Sequence, residues 1–434
     1  MSKSVMLRRR GFLGSVAALG TAAITTSAFS EESVNTALPK PAGPLATDAP
    51  FWKAVRGLYD TDPAMTNLEN GYWGIMANPI LAEYLQLTQK INRQNTAYAR
   101  TRFGADWKGA RDAVAAATGF DPSEVALTRG ATEALQLLIS NYNLLKPGDS
   151  VLYADLDYDC AQYAMQWLAD RRSVEVVKIS LPEPATRQAV IDIYAQAFAA
   201  HPKLKLVLLT HLSHRTGLVI PVKEIAAMAR EKGIDVILDA AHSWGQITDD
   251  PKALGVDFIA FNLHKWIGAP LGIGFVYIAN HRLGDIDPQL GDQDYPKNAI
   301  ESRVHTGTLN FATVMTLPSA LKLHQDIGVA AKAARVRYLR DLWVANVRKI
   351  EQIEILAPDE QGMVGGITSF RVKGQGAPSQ ASALVSALRD KHSVLTVART
   401  GVANGACVRV SPAIYTTEDD VLKFASALKS EMMG

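Results

Sequence analysis

Only two cysteines occur in 434 residues, Cys160 and Cys407, and they stand far apart, in neither a CxxC nor a metal-ligand spacing. They define no disulfide framework. A surplus of one charge sign is equally lacking: 45 Lys+Arg against 43 Asp+Glu leave a formal net charge of +2. With no block of like charges past the N-terminus, the chain offers no extended basic field, and nucleic acid is not an expected partner. No apolar stretch reaches comfortably the ~20 residues that span a bilayer, so stable membrane insertion is not expected either. Internal repeats are absent. What remains is 48% hydrophobic and 20% charged, enough for a sizeable core shared by one large and one smaller domain.

The N-terminal "RRRGFLGSVAALGTAA" sets paired arginines and a Phe-Leu step before small apolar residues. It resembles a twin-arginine export signal centred on Arg9, Arg10, Phe12 and Leu13. Small residues around Ala28 and Ser30 suit cleavage, and the Pro-rich, polar "EESVNTALPKPAGPLATDAP" reads as a linker. The expected organisation is a signal peptide at 1–30, a linker at 31–50, an N-terminal segment with the large domain at 51–310, and a small domain at 311–434. The signal implies a periplasmic protein handled by the twin-arginine translocase. That route carries folded proteins, which hints at a cofactor inserted before export.

From about residue 105 the sequence alternates helical and strand patterns. "ADWKGARDAVAAATG" is helical and "SEVALT" strand-like; "ATEALQLLISNYNLL" is helical again; "DSVLYADL", "SVEVVKIS", "KLKLVLLTHLS", "IDVILDAAH", "VDFIAFNLHK" and "GIGFVYI" supply further strands. This predicts an α/β fold whose mainly parallel sheet has helices on both faces. After residue 311 a long helical region leads to "GGITSFRVK", "SQASALVSALRDK", "SVLTVAR", "CVRVSPAIY" and a last helix, as in a smaller α+β domain.

Ligands of open parallel sheets bind beyond the carboxyl ends of the strands. Here the informative polar residues stand at those ends: His211, Ser213 and His214; Asp239 and His242; Asn262, His264 and Lys265. A metal site does not follow, because His211 and His214 are three apart on an extended segment and point to opposite faces. A lysine closing a buried strand must be paired or lose its charge, and a desolvated amine attacks carbonyls. Asp239, closing the neighbouring "DVIL" strand, suits a pyridinium nitrogen. Together the two point to pyridoxal 5'-phosphate.

"ILDAAH", "FNLHKW", "TRGATEAL" and "TGTLN" resemble, in that order of function along the site, class V aminotransferases of the fold-type I pyridoxal phosphate enzymes. The likeness runs from about residue 65 to the C-terminus. "NLENGYWG" and "RVHTGTLN" look most like the isopenicillin N epimerase-like branch. The resemblance implies a seven-stranded large-domain sheet, a Schiff base on Lys265, and Asp239 at the ring nitrogen. It places Tyr158 on the ring face, where many relatives have histidine, and His242 or His214 at the ring hydroxyl. It gives the phosphate to Ala131, Thr132, Asn262 and His264, with Thr308 reaching it from a second subunit of a homodimer. Arg409 would hold the substrate carboxylate. Cys407, two residues before Arg409 on a strand, does not match the mobile-loop cysteine of desulfurases, and Cys160 reads as a small buried residue.

Where the Cα proton returns separates transamination, epimerisation and elimination. Epimerisation needs an acid on the opposite face, where Tyr158 is expected to stack, so the residues favour an aminotransferase. Export favours a peptide or secondary-metabolite amine bearing a carboxylate, as in the similar periplasmic enzymes of pyoverdine maturation, which act on a glutamyl side chain. A non-catalytic binding protein on the same fold would not require the Lys265 and Asp239 pair.

Overall fold

Short apolar runs bounded by Gly, Asp and Pro become strands, and the longer amphipathic stretches between them become helices. A computed structural model describes residues 38–433; the twin-arginine-like segment and its cleavage region lie outside the described residues. The strands are β1 (Thr66–Asn67), β2 (Val125–Thr128), β3 (Ser150–Ala154), β4 (Glu175–Ile179), β5 (Leu204–Thr210), β6 (Asp235–Asp239), β7 (Phe258–Asn262), β8 (Gly274–Ile278), β9 (Ile353–Ile355), β10 (Thr368–Val372), β11 (Val394–Leu395), β12 (Val397–Arg399) and β13 (Cys407–Val410).

Seven of them form the large sheet, in the order β2-β8-β7-β6-β5-β3-β4. All neighbours are parallel except β8, which runs antiparallel to both β2 and β7. Successive side chains go to opposite faces. Leu152, Val207, Leu209, Leu238 and Ile259 therefore enter one apolar cluster, while Val151, Leu206, Leu208, Ile237 and Phe258 enter another. Helices cover both, and the mainly parallel seven-stranded sheet expected from the sequence is the one observed.

The second sheet is antiparallel, in the order β12-β13-β10-β9. Its core is aromatic, with the Trp343 and Phe424 rings 5.4 Å apart in an edge contact. The two cores meet inside the helix Val329–Val347: Ala331 and Val336 belong to the large cluster, Leu339, Trp343 and Val347 to the small one. Residues 311–327, expected at the start of the small domain, instead give Leu317, Leu321 and Ile327 to the large cluster. The N-terminal segment also divides. Phe51, Trp52 and Val55 sit in the large core, but β1 pairs in parallel with β11, Thr66 opposite Val394. Among the described residues no helix is long and apolar enough to cross a membrane.

Candidate active site

Register brings the strand ends together. Thr210 on β5 lies opposite Asp239 on β6, and Asp239 opposite Ala260 on β7. Beyond them opens a cavity of about 630 Å³ whose wall includes Asp239, His242 and Lys265. The Asp239 carboxylate is buried and accepts the Ala241 N–H at 2.8 Å. Burial pushes its pKa up, with Lys265 acting in the opposite direction.

Lys265 follows β7 in a tight turn, and its Nζ is 2.9 Å from His242 Nε2. Burial pushes the ammonium down to about 8 despite the nearby Asp239 carboxylate. The N-terminal loop closes over this turn: Gly74 donates its N–H to the His264 carbonyl at 3.0 Å. A Cβ at Gly74 would sit 2.2 Å from the Lys265 carbonyl oxygen, so only glycine lets the two segments approach.

The anion end is built on the helix Ala131–Asn141. Its first turn carries N–H groups without i−4 partners, which favour a bound anion. The expected donor Ala131 is, however, taken within the chain: its N–H bonds Asn262 Oδ1 at 2.8 Å. Asn262 thus fixes the helix start and keeps only its amide NH₂ for the cavity. The tight fit behind it again needs glycine, since a Cβ on Gly274 would meet Gly130 Cα at 2.7 Å. Thr132 and His264 both line the cavity. His264 donates Nδ1–H to the Ile273 carbonyl at 2.9 Å, and burial lowers its pKa, so in the neutral ring Nε2 is an acceptor and cannot donate to a phosphate as the sequence had implied. Thr308 is exposed and stands outside its own chain's cavity wall.

Tyr158 and His214 form another part of the wall, with rings 5.3 Å apart, edge to face. Burial raises the Tyr158 phenol, so it stays protonated at neutral pH. His214 is nine-tenths buried among Arg215, Arg399 and Arg409, and burial with those charges holds it well below the ordinary imidazole range. Of the two histidines proposed for the ring hydroxyl, His242 is the one within hydrogen-bond distance of Lys265. His211 is turned away, its Nε2 3.1 Å from the Asp249 carboxylate.

Arg409 lies on β13, 1% exposed, and lines the cavity. Its fork is not free, as the sequence had implied. Nη1 donates to the His214 carbonyl at 2.8 Å, and Nη2 to both oxygens of Glu69 at 2.5 and 2.6 Å. Glu69 was not anticipated. The β1 to β11 pairing delivers it: Ser411 N–H bonds the Leu68 carbonyl at 2.7 Å, and Glu69 bridges to Ser411 beside Arg409. Arg399 was missed as well. Val397 pairs with Arg409, so Arg399, two residues on, shares that face. Arg399 Nη2 is 3.4 Å from Glu69, and burial with the Arg409 charge pushes its pKa down to about 10. Two guanidiniums thus face one carboxylate, and the Nε atoms of both are buried without a partner. This corner is short of one negative charge.

Cys407 is buried under the Arg215 carbonyl, 3.9 Å from its Sγ, and burial raises the thiol to about 11. It is not part of the cavity wall. Cys160 is half-buried, with the Gln136 amide 3.1 Å from its sulfur.

An amine poised as a nucleophile, a buried carboxylate for a ring nitrogen, an aromatic wall and a helix start for a phosphate match the donor set of pyridoxal phosphate. Fold and site together define a fold-type I pyridoxal-phosphate-dependent enzyme. The match to the family model for aminotransferase class V covers residues 78–424, and the chain belongs to that family. Similar curated proteins include the isopenicillin N epimerase of Streptomyces clavuligerus, 27% identical over 87% of this chain and 97% of that protein. A probable cysteine desulfurase of Vibrio cholerae is 26% identical over 80% of this chain and 87% of its own. Among solved structures, the cysteine desulfurase CsdA of Escherichia coli superposes with a TM-score of 0.74 at 22% identity, over 88% of this chain and 98% of that one.

Proposed function

We propose that the protein is an aminotransferase acting on an amine that bears a carboxylate. Bound pyridoxal phosphate supplies the electron sink that makes the substrate Cα–H acidic. The residues do the rest. Asp239, buried at the end of β6, keeps the ring nitrogen protonated. Lys265 removes the Cα proton as general base and returns it, and the point of return fixes the product. The observation that carries this reading is that the cavity wall holds a single amine, Lys265, with its pKa brought down to about 8. One base is enough for proton transfer along one face. The charge deficit around Arg399 and Arg409 supports a carboxylate on the substrate.

Epimerisation is the second reading. Two observations favour it: the likeness to isopenicillin N epimerases over 97% and 98% of their lengths, and a Tyr158 phenol that stays protonated as an acid would. Desulfuration has less support, because Cys407 is buried and its thiol raised to about 11. Single turnover without an added acceptor decides between the first two. Transamination converts the cofactor to pyridoxamine phosphate and releases an oxo product; stereochemical inversion with the cofactor unchanged would establish the epimerase instead.

We further propose that the substrate is met outside the cytoplasm, as an amino acid, a peptide or a siderophore precursor such as a pyoverdine glutamyl side chain. The arginine pair in "RRRGFLGS" supports export, and a wide cavity next to the exposed Tyr72 and Trp73 suits a substrate larger than a free amino acid. The working unit is proposed to be a homodimer, in which Thr308 of each subunit serves the other's phosphate.

A further inference from the structure

The residue after the lysine has a role of its own. Trp266 is buried, and its indole Nε1–H is 3.3 Å from His242 Nδ1. His242 therefore stands between two partners, Trp266 on Nδ1 and Lys265 on Nε2. An indole N–H can only donate, so Nδ1 must be bare and accept. In a neutral imidazole the single proton is then on Nε2, and an Nε2–H can only donate. Its partner, the Lys265 nitrogen, must offer a lone pair. From this chain of donors and acceptors we propose that Trp266 sets the tautomer of His242 and thereby holds Lys265 as the neutral, nucleophilic amine.

The alternatives each cost a hydrogen bond. An imidazolium has two donors and would meet the indole N–H head on. A Lys265 ammonium would donate to Nε2, force the proton onto Nδ1, and break the same bond. A buried donor left without its acceptor costs about 1–3 kcal/mol. The surroundings agree with a neutral ring: burial, and then Lys265, Arg409, His214 and Arg399, hold His242 well below the ordinary imidazole range. Asp239 and Glu69 are the groups facing Lys265 that favour its charge; Arg409 and Arg399 oppose it. On the far side of Trp266, the buried Lys332 donates to the Trp266 carbonyl at 2.5 Å and contacts His324 Nδ1 at 2.9 Å. That clamp fixes the backbone from which the indole reaches His242, which makes Trp266 a positioning residue.

The proposal rests on Lys265 being the amine that captures the cofactor, and not on the fate of the proton afterwards. The test follows the rate at which the cofactor-stripped full chain recaptures pyridoxal phosphate, read by its visible band, as a function of pH. In the wild type the rate should rise with a midpoint near 8. In Trp266→Phe the ring is free to accept from an ammonium, and the midpoint should move up by about one unit. On a His242→Gln background, which has no tautomer to set, adding Trp266→Phe should leave the midpoint where it is. A folded Trp266→Phe protein with an unmoved midpoint overturns the proposal, whereas a visible band regained equally by Lys265→Ala would refute the role of Lys265 itself. If Trp266→Phe does not fold, ¹⁵N spectra of the histidine-labelled wild type decide: a bare Nδ1 on His242 supports the tautomer, and a protonated Nδ1 overturns it.

Discussion

Replacing Glu69 by glutamine should make the protein less stable and yet improve its hold on substrate. Glu69 meets Arg409 through two short contacts and Arg399 through a longer one, with side-chain exposures of 13%, 1% and 26% respectively. Removing its charge while keeping an acceptor forfeits a charge-assisted bond in a nearly dry setting, a loss on the order of 1.5–3 kcal/mol. The apoenzyme should melt about 2–3 °C lower. Substrate reverses the sign. A substrate carboxylate must compete with Glu69 for Arg409, and without that competitor the corner carries two uncompensated guanidiniums. If half of the lost bond energy is recovered by the incoming carboxylate, KM falls about three- to tenfold. The assays are a thermal melt without substrate and steady-state kinetics with it. A KM that rises in Glu69→Gln, with the fold intact, would refute the idea that Glu69 occupies the substrate's place, and would make it a contact of the substrate amine instead.

Lys265→Ala should keep the fold and lose both turnover and the visible band of the covalently held cofactor; borohydride trapping and peptide mapping that find the reduced adduct on another lysine would overturn the assignment. Arg409→Lys should weaken substrate capture by on the order of 1.5–3 kcal/mol, since an ammonium cannot serve Glu69, the His214 carbonyl and a carboxylate with the geometry of a fork; kinetics showing an unchanged KM would count against it. Replacing Arg9 and Arg10 together by lysine should leave active, cofactor-loaded protein in the cytoplasm, and fractionation that still finds it in the periplasm would defeat the export proposal.

The large sheet was legible because its strands are buried on both faces, so continuous apolar runs such as "KLVLLT" and "DFIAF" stand out between polar turns. Asp239 and Lys265 were legible for the same reason: each is the first charged group after such a run. The corner around Arg409 was not. Glu69 reaches it through a pairing of only two residues, Thr66 and Asn67 with Val394 and Leu395, and no periodicity records that register. "SVLTVAR" reads as one strand but breaks at Thr396 into β11 and β12, which belong to different sheets. Arg399 owes its direction to that break. The helix Asn78–Thr101 escaped notice because only Ile80 and Tyr98 are buried along its length, too few to draw an apolar stripe. Trp266 looked like one more apolar neighbour of the lysine. Its indole N–H acquires meaning only when folding places His242, from the turn after β6, at 3.3 Å.

Chemistry and selection therefore sit on different parts of the chain. The groups proposed for the cofactor stand at the ends of β5, β6 and β7 of the seven-stranded sheet and at the start of the helix Ala131–Asn141. The groups proposed for the substrate carboxylate come from β12, β13 and the N-terminal loop, which the short β1–β11 pairing ties to the smaller core. Because the two sets share few covalent neighbours, their variants should separate in the assays. Changes at Lys265, Asp239 or Trp266 should alter the visible spectrum or its pH dependence before any substrate is added. Changes at Glu69, Arg399 or Arg409 should leave the resting spectrum nearly as it was and act on KM. The sets touch where Arg409 donates to the His214 carbonyl and Gly74 to the His264 carbonyl, and they are coupled electrostatically: Arg409 and Arg399 both bear on Lys265 and His242. Neutralising Arg399, as Arg399→Gln, should therefore raise the midpoint of cofactor capture slightly while weakening substrate binding more strongly. A spectrum that moved as far as for Trp266→Phe would mean that charge, and not the tautomer of His242, governs the lysine.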